Sequence, residues 1–311
     1  MSNVTRLISA SKTEIKKMTP MELKESIYKS EGRVIMGQHL LFAGEGTVRG
    51  VTNTELMCAF GADMVMLNTI DLDNMENNPG LCGLTIKEIK ERCNRPVGVY
   101  LGCLQEELND GGKKQLYRRE GMIATKEHVL KAIELGADFL VLGGNPGSGT
   151  SIEDVIKTTK WVKELCGDKV FLFAGKWEDG ITEKVLGDPL ATYDAKNVIK
   201  RLIDAGADCI DLPAPGTRAG ITVEMIRELV EFTHRYKPGT LAMSFLNSSV
   251  ECADTDTIRQ VAILMKQTGA DIHAIGDGGF GGCTWPENVY QLSVSIKGKH
   301  YTWFRMASVN K

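Results

Sequence analysis

GADFLVL, residues 136–142, decides the fold because it recurs. Gly-Ala-Asp stands at 61–63, 136–138, 206–208 and 269–271, each time directly before an apolar run: MVML, FLVL, CIDL and IHAI. Successive copies are 75, 70 and 63 residues apart (61 to 136, 136 to 206, 206 to 269), too far for one strand-helix unit and right for two. The alternate strands are found at RVIMG (33–37), RPVGVYLG (95–102), KVFLFAG (169–175) and GTLAMSFL (239–246). Eight short, evenly spaced strands emerge.

Segments of helical period fill the gaps: TKEHVLKAIELG (125–136), SIEDVIKTTKWVKELCG (151–167), DAKNVIKRLIDAG (194–206), TVEMIRELVEFTHRY (222–236) and DTDTIRQVAILMKQTG (254–269). Thr125, Ser151, Asp194, Thr222 and Asp254 are placed as N-caps, and Gly136, Gly206 and Gly269 as C-cap glycines. The repeat is therefore read as structural. Its glycine ends a helix, its alanine permits close packing, and its aspartate begins a strand, which gives Asp63, Asp138, Asp208 and Asp271 no catalytic part.

Strands alternating with helices pair in parallel through right-handed crossovers, and runs rich in Val, Ile, Leu and Met are buried on both faces. Eight such units predict an α/β protein with a single (β/α)8 TIM barrel over residues 33–298. An open doubly wound sheet is the alternative, but GQHLLFAGEG (37–46) lacks the glycine spacing of a dinucleotide turn. Residues 1–32, with a helix at 19–32, are expected to cap the barrel bottom, and 299–311 to form a C-terminal tail. The tail, HYTWFRMASVNK (300–311), is aromatic and basic; it suits either a neighbouring subunit of a homo-oligomer, the expected state, or its own barrel.

Composition narrows the function classes. The 311 residues are 42% hydrophobic, and 37 Lys plus Arg against 40 Asp plus Glu leave a net charge of -3, with no basic footprint for nucleic acid or an anionic membrane. No apolar stretch reaches membrane-spanning length and the first 20 residues lack a signal-peptide core, so a cytoplasmic location is expected. Eight cysteines (58, 82, 93, 103, 166, 209, 252 and 283) are scattered without a Cys-x-x-Cys pair, as reduced, mostly buried thiols would be.

In such a barrel the chemistry sits at the C-terminal ends of the strands. Strand one ends at Gln38 and His39, and strand two at Asn68, followed by Asp71 and Asp73. Strand four ends at Asn145 and strand five at Lys176 and Glu178; strand six adds Asp211 and PAPGTRAG (213–220), strand seven Ser244 and Asn247, strand eight Asp277 within GDGGFGG (276–282). Lys176 is a candidate base, Schiff-base amine or anion holder. Asp211 interrupts an apolar strand and needs a partner; Lys176, one strand over, is the expected one. His39 and Asp277 complete the catalytic candidates. His273 lies early in its strand, and His128, His234 and His300 read as surface groups.

The loop GGNPGSGTS (143–151) opens a helix, so Gly147, Ser148, Gly149 and Thr150 are candidates to hold phosphate or carboxylate on free N–H groups. Gly278 and Gly279, with Arg218, form a second candidate anion site, and Asn68, Asn145 and Asn247 are further substrate-binding candidates. MVMLNTIDLDNM (64–75) imitates the Asp-x-Asp start of a haloacid dehalogenase phosphohydrolase, though Met75 stands where that motif has Thr or Val.

GADFLVLGGNPGSGTSIEDVIKTTKWVKE (136–164) and IGDGGFGGCTWPENV (275–289) resemble segments of the BtpA-like barrel proteins. The chain as a whole resembles bacterial barrels labelled phosphoenolpyruvate phosphonomutase-like or haloacid dehalogenase-like. The acidic metal-binding signature of phosphonomutases and isocitrate lyases is not recognisable, and no catalytic residue carries over by motif. The expectation is an enzyme acting on a small anionic, phosphorylated or carboxylated metabolite by acid-base chemistry, of lyase, isomerase or mutase type. A divalent metal such as magnesium is left open as cofactor. The alternatives are a phosphohydrolase and a silent metabolite-binding barrel.

Overall fold

The computed structural model describes residues 3–103, 120–146, 148–178, 183–278 and 281–307. Eight parallel strands close on one another in sequence order: β1 Val34–Leu40, β2 Met64–Asn68, β3 Val97–Gly102, β4 Phe139–Gly143, β5 Phe171–Gly175, β6 Cys209–Pro213, β7 Leu241–Leu246 and β8 Ile272–Ile275. Each lies on a stretch predicted from the repeat. The ring is sealed by β1 and β8 through the pairs Val34 with Ile272 and Ile35 with His273.

Helices α1 Lys12–Lys17 and α2 Pro20–Tyr28 precede the barrel; α3 Asn53–Ala59, α4 Ile86–Cys93, α5 Lys126–Glu134, α6 Ile152–Cys166, α7 Ala195–Ala205, α8 Val223–Tyr236 and α9 Thr255–Gln267 surround it. The five predicted N-caps all accept a backbone N–H one turn on: Thr125 from His128, Ser151 from Asp154, Asp194 from Asn197, Thr222 from Met225 and Asp254 from Thr257. The glycines of the four repeats have φ of 106°, 102°, 108° and 80°, a conformation in which a side chain would be strained.

The repeat aspartates make a fourfold clamp at the barrel bottom. Asp63, Asp138, Asp208 and Asp271 open β2, β4, β6 and β8. Their carboxylates accept the backbone N–H of Ile35, Val97, Leu172 and Ala242 at 2.8, 2.8, 3.2 and 2.8 Å on β1, β3, β5 and β7. Each aspartate's own N–H returns a bond to the carbonyl of the same residue at 2.8 Å. Register between strand pairs is thus fixed at four points around the ring.

Side chains alternate between two cores. Val34, Met36, Met64, Met66, Phe139, Phe171, Phe173 and Met243 fill the barrel, with Leu7, Ile8, Leu23 and Ile27 packed into its lower end. Ile35, Val65, Leu140, Leu172 and Ile210 pack under the helices. The last helix, α10 Pro286–Ala307, breaks at Gly298 (φ 77°) and folds back on its own barrel, so the expected tail is helical to Ala307. Its Thr302 and Arg305 are buried, whereas Trp303 and Phe304 are about half exposed. No described helix is long and apolar enough to cross a membrane. All eight cysteines are free.

Candidate active site

Alternation along each strand selects the side chains that reach the mouth. On β1, Val34 and Met36 point inward, so Gln38 does too, and His39 points the other way. His39 is fully buried, with Nδ1 2.9 Å from Thr54 Oγ1 on α3, and burial pushes it down to about 3, leaving a neutral ring beneath the helices. It is therefore not part of the mouth. His273 is likewise buried and neutral, at about 4, donating from Nε2 to the Gly32 carbonyl. His128, expected on the surface, is buried between the Ile123 carbonyl and Asp73.

On β5 the inward series is Phe171, Phe173, Gly175 and then Trp177, which places Lys176 outside. Its ammonium donates to the Thr150 carbonyl at 2.6 Å, bracing the loop after β4. Asp211 does point inward, paired in register with Gly175 and Met243. Trp177 and Phe245 occupy the next layer up, their rings stacked at 5.8 Å, and Tyr100 meets Trp177 edge-on at 6.1 Å. Asp211 is thus sealed beneath an aromatic lid with no hydrogen-bond partner on either oxygen, and burial holds its carboxyl far above the usual range. The expected Lys176–Asp211 ion pair is not formed, because the two side chains leave the sheet on opposite faces.

The first anion loop is also occupied from within. The N–H groups of Ser148, Thr150, Ser151 and Ile152 go to the Asn145 carbonyl, Ser148 Oγ, Asp154 and Glu183. Glu183 places its own carboxylate, at 2.6 Å, where an anion was expected on α6. Gly147 and Gly279 lie outside the described residues. Asn68 and Asn145 bond to each other, Nδ2 to Oδ1 at 2.9 Å and in reverse at 3.3 Å. Asp71 accepts the N–H groups of Asp73 and Asn74 within its own loop, so the Asp-x-Asp stretch makes a turn after β2 of a closed barrel.

What converges is a different group. Glu178 follows Trp177 into the mouth, where its Oε1 accepts the indole N–H at 3.2 Å. Burial pushes its carboxyl up to about 7, the Asp277 carboxylate adds to the rise, and Arg218, Trp177 and Asn247 pull it back. Arg218 is held by its Nε on the Trp177 carbonyl at 3.2 Å. Asp277 is fixed by Gln38 Nε2 on its Oδ2 at 2.8 Å. Gly278, φ 76°, turns so tightly that a Cβ there would lie 2.5 Å from the Cys283 carbonyl oxygen. Gly276 makes room for Glu251, whose carboxylate a Cβ would strike at 1.8 Å.

Asp277, Arg218 and Asn247 are predicted residues that the structure brings together. Glu178 and Gln38 are strand-end residues to which no role was assigned, and Glu251 was not singled out at all. Counting two residues at a time from Val34 and Met36 of β1 finds Gln38, whereas Glu178, one step past the inward Trp177, lies off the corresponding count on β5. Among the described residues no group of three or more His, Cys, Asp or Glu side chains comes close enough to hold a metal ion, so no ligand set is defined for the divalent metal left open above.

A sequence-family model of unknown function matches residues 8–311. The sequence matches no curated protein. In structure the chain is similar to the Schiff-base-forming fructose-1,6-bisphosphate aldolase (13% identity, 88% of this chain and 99% of that one, TM-score 0.52). It is similar also to an archaeal fructose 1,6-bisphosphate aldolase (14%, 89% and 100%, TM-score 0.53). A third similar structure is a multifunctional pyruvate carboxylase from Rhizobium etli (12%, 95% and 30%, TM-score 0.54). At these identities the likeness is one of fold.

Proposed function

This chain belongs to the family described as a domain of unknown function (DUF7916), and from that premise we propose that it is a lyase- or isomerase-type enzyme acting on a small anionic carbonyl compound. One observation carries the reading: a buried glutamate in the barrel mouth, Glu178, poised at about 7 between Asp277 and Arg218. A carboxyl with that affinity for protons exists in both forms near neutral pH, the condition for taking a proton beside a carbonyl and returning it. Burial keeps Glu178 basic, Asp277 adds to the effect, and Gln38 keeps Asp277 in place. Arg218 supplies the positive charge for a substrate carboxylate or phosphate.

The aldolase likeness and the sequence resemblance to BtpA-like and phosphonomutase-like barrels are compatible with lyase chemistry. No Schiff-base step is included, since the Lys176 amine is turned out of the barrel onto Thr150. The test is proton exchange in deuterated water, followed by NMR, over a panel of small phosphorylated and carboxylated carbonyl compounds. Exchange beside the carbonyl of at least one, abolished in Glu178→Gln, is expected. Tight binding of a panel member with neither exchange nor turnover would establish the silent barrel instead.

A further inference from the structure

We infer that the molecule received in this mouth carries hydroxyl groups, and that Gln38 and Asn247 select it by accepting hydrogen bonds from them; the inference rests on reading the mouth as the substrate site. Both side chains are primary amides, able to present either an N–H2 or a carbonyl oxygen. Here the choice is forced. The Gln38 Nε2 donates to Asp277 Oδ2 at 2.8 Å, and the Asn247 amide donates to the Glu178 carboxyl. The Asp277 carboxylate accepts only, so Gln38 must turn its nitrogen to it, and the Asn247 contact lowers the proton affinity of Glu178, as an N–H2 donor does and a carbonyl oxygen does not. Gln38 Oε1 and Asn247 Oδ1 are left over, and neither has a hydrogen-bond partner.

These orphaned oxygens are not surface atoms in contact with water. Gln38 is 2% and Asn247 6% exposed, and a buried acceptor without a donor is a standing cost that a bound molecule can relieve. Gln38 lies near the end of β1, Asn247 directly follows β7 and Asp277 follows β8 between them, so the two residues stand on either side of Asp277 in the ring. A ligand made only of acceptors, such as sulfate or the anion of a plain keto acid, leaves both oxygens unsatisfied. An ammonium group would donate too, but the anionic substrate proposed above presents none and turns its own charge to Arg218. A hydroxyl group donates to the amide oxygen without charge and accepts in turn from Glu178 when that carboxyl is protonated. The substrate class is therefore a hydroxylated anion with at least two hydroxyl groups, and the discrimination rests on buried acceptors, where a missing donor is felt most.

The experiment measures binding of matched probes to the intact protein by calorimetry: glycerate against propionate, glycerol 3-phosphate against propyl phosphate, and gluconate against hexanoate. In at least one pair the hydroxylated member is expected to bind tenfold or more tightly. Gln38→Met, and separately Asn247→Leu, should each bring that ratio toward one; circular dichroism identifies which variants are folded. The wild-type panel needs no variant and decides the question by itself. If the anions bind but no pair is discriminated, the hydroxyl inference is overturned while the anionic mouth stands. If no anion binds at all, the reading of the mouth fails and takes the inference with it.

Discussion

Lys297 Nζ lies 2.5 Å from Asp63 Oδ2, and neither side chain has any exposed surface. Arg305 Nε approaches the other carboxylate oxygen at 3.1 Å, and Arg95 donates to the Arg305 carbonyl. One carboxylate thus holds together cations from the far end of the chain. Burial pushes Lys297 down to about 8, with repulsion from Arg305 and Arg95 contributing, and Arg305 to about 9, with repulsion from Arg95 contributing. Asp63→Asn should cost about 3–5 kcal/mol, because it strands buried positive charge as well as breaking the clamp on Ile35. Asp138→Asn, whose partner Lys90 is partly exposed, should cost nearer 1 kcal/mol. Urea unfolding of the two variants makes the comparison, and equal losses would refute this account.

The two neutral histidines set an acid limit on stability. His39 and His273 are held at about 3 and about 4, against an ordinary value of about 6.5 once unfolded. Below that value the unfolded chain binds protons that the folded chain refuses, so stability rises with pH across this window and falls as pH drops through it. Each histidine contributes a slope of about 1.4 kcal/mol per pH unit. Glu178 works the other way, since its raised carboxyl lets the folded state bind more protons between about 4.5 and 7. Replacing His273 by Gln should remove about one histidine's share of the acid slope, measured as unfolding free energy between pH 4 and 6.5. An unchanged slope would show that His273 is protonated in the folded protein.

Glu178 itself should titrate near 7, visible as one limb of the kcat/KM profile once a substrate is found and, before that, by carboxyl NMR. Its neighbours move it in opposite directions. Asp277→Asn removes a negative charge and should lower the value; Arg218→Met removes a positive one and should raise it. Glu178→Gln should reduce turnover by about two orders of magnitude or more. A glutamate that titrates in the ordinary range, or shifts the same way in both variants, would not be the group described.

The barrel was legible because its signal is local and repeated: a glycine that must take positive φ, an aspartate that clamps the preceding strand, and an apolar run, four times over. The mouth was harder to read for a reason of parity. His39 and Lys176 are the more conspicuous residues of their strand ends, but one step along a strand reverses the face, so the neighbours Gln38 and Trp177 enter the barrel in their place. Asp211 has the right parity and the wrong height, a distinction set by how Trp177 and Phe245 meet across the lumen. The poise of Glu178 depends on burial and on Asp277, 99 positions away (178 to 277), and no spacing rule reaches that far.

Lys176 and Asp211 provide the last prediction, because adjacent strands carry them and yet they should behave as strangers. Lys176 donates to Thr150 on the helix side of the sheet, and Asp211 sits unpartnered in the lumen. Lys176→Met should loosen the loop before α6 and cost about 1.5–3 kcal/mol, the range for a hydrogen bond from a charged donor. Asp211→Val should be neutral or stabilising by about 1–3 kcal/mol, since it replaces a buried carboxyl that has no hydrogen-bond partner, against which the added volume of Val must be set. In the double variant the two effects should add to within about 0.5 kcal/mol, as they do for residues without shared partners. An ion pair predicts the opposite pattern: each single variant strands a charge, both are costly, and the double variant recovers much of the loss. Thermal or urea unfolding of the four proteins separates the two cases, and a coupling above about 1 kcal/mol would mean that the carboxyl and the ammonium meet after all.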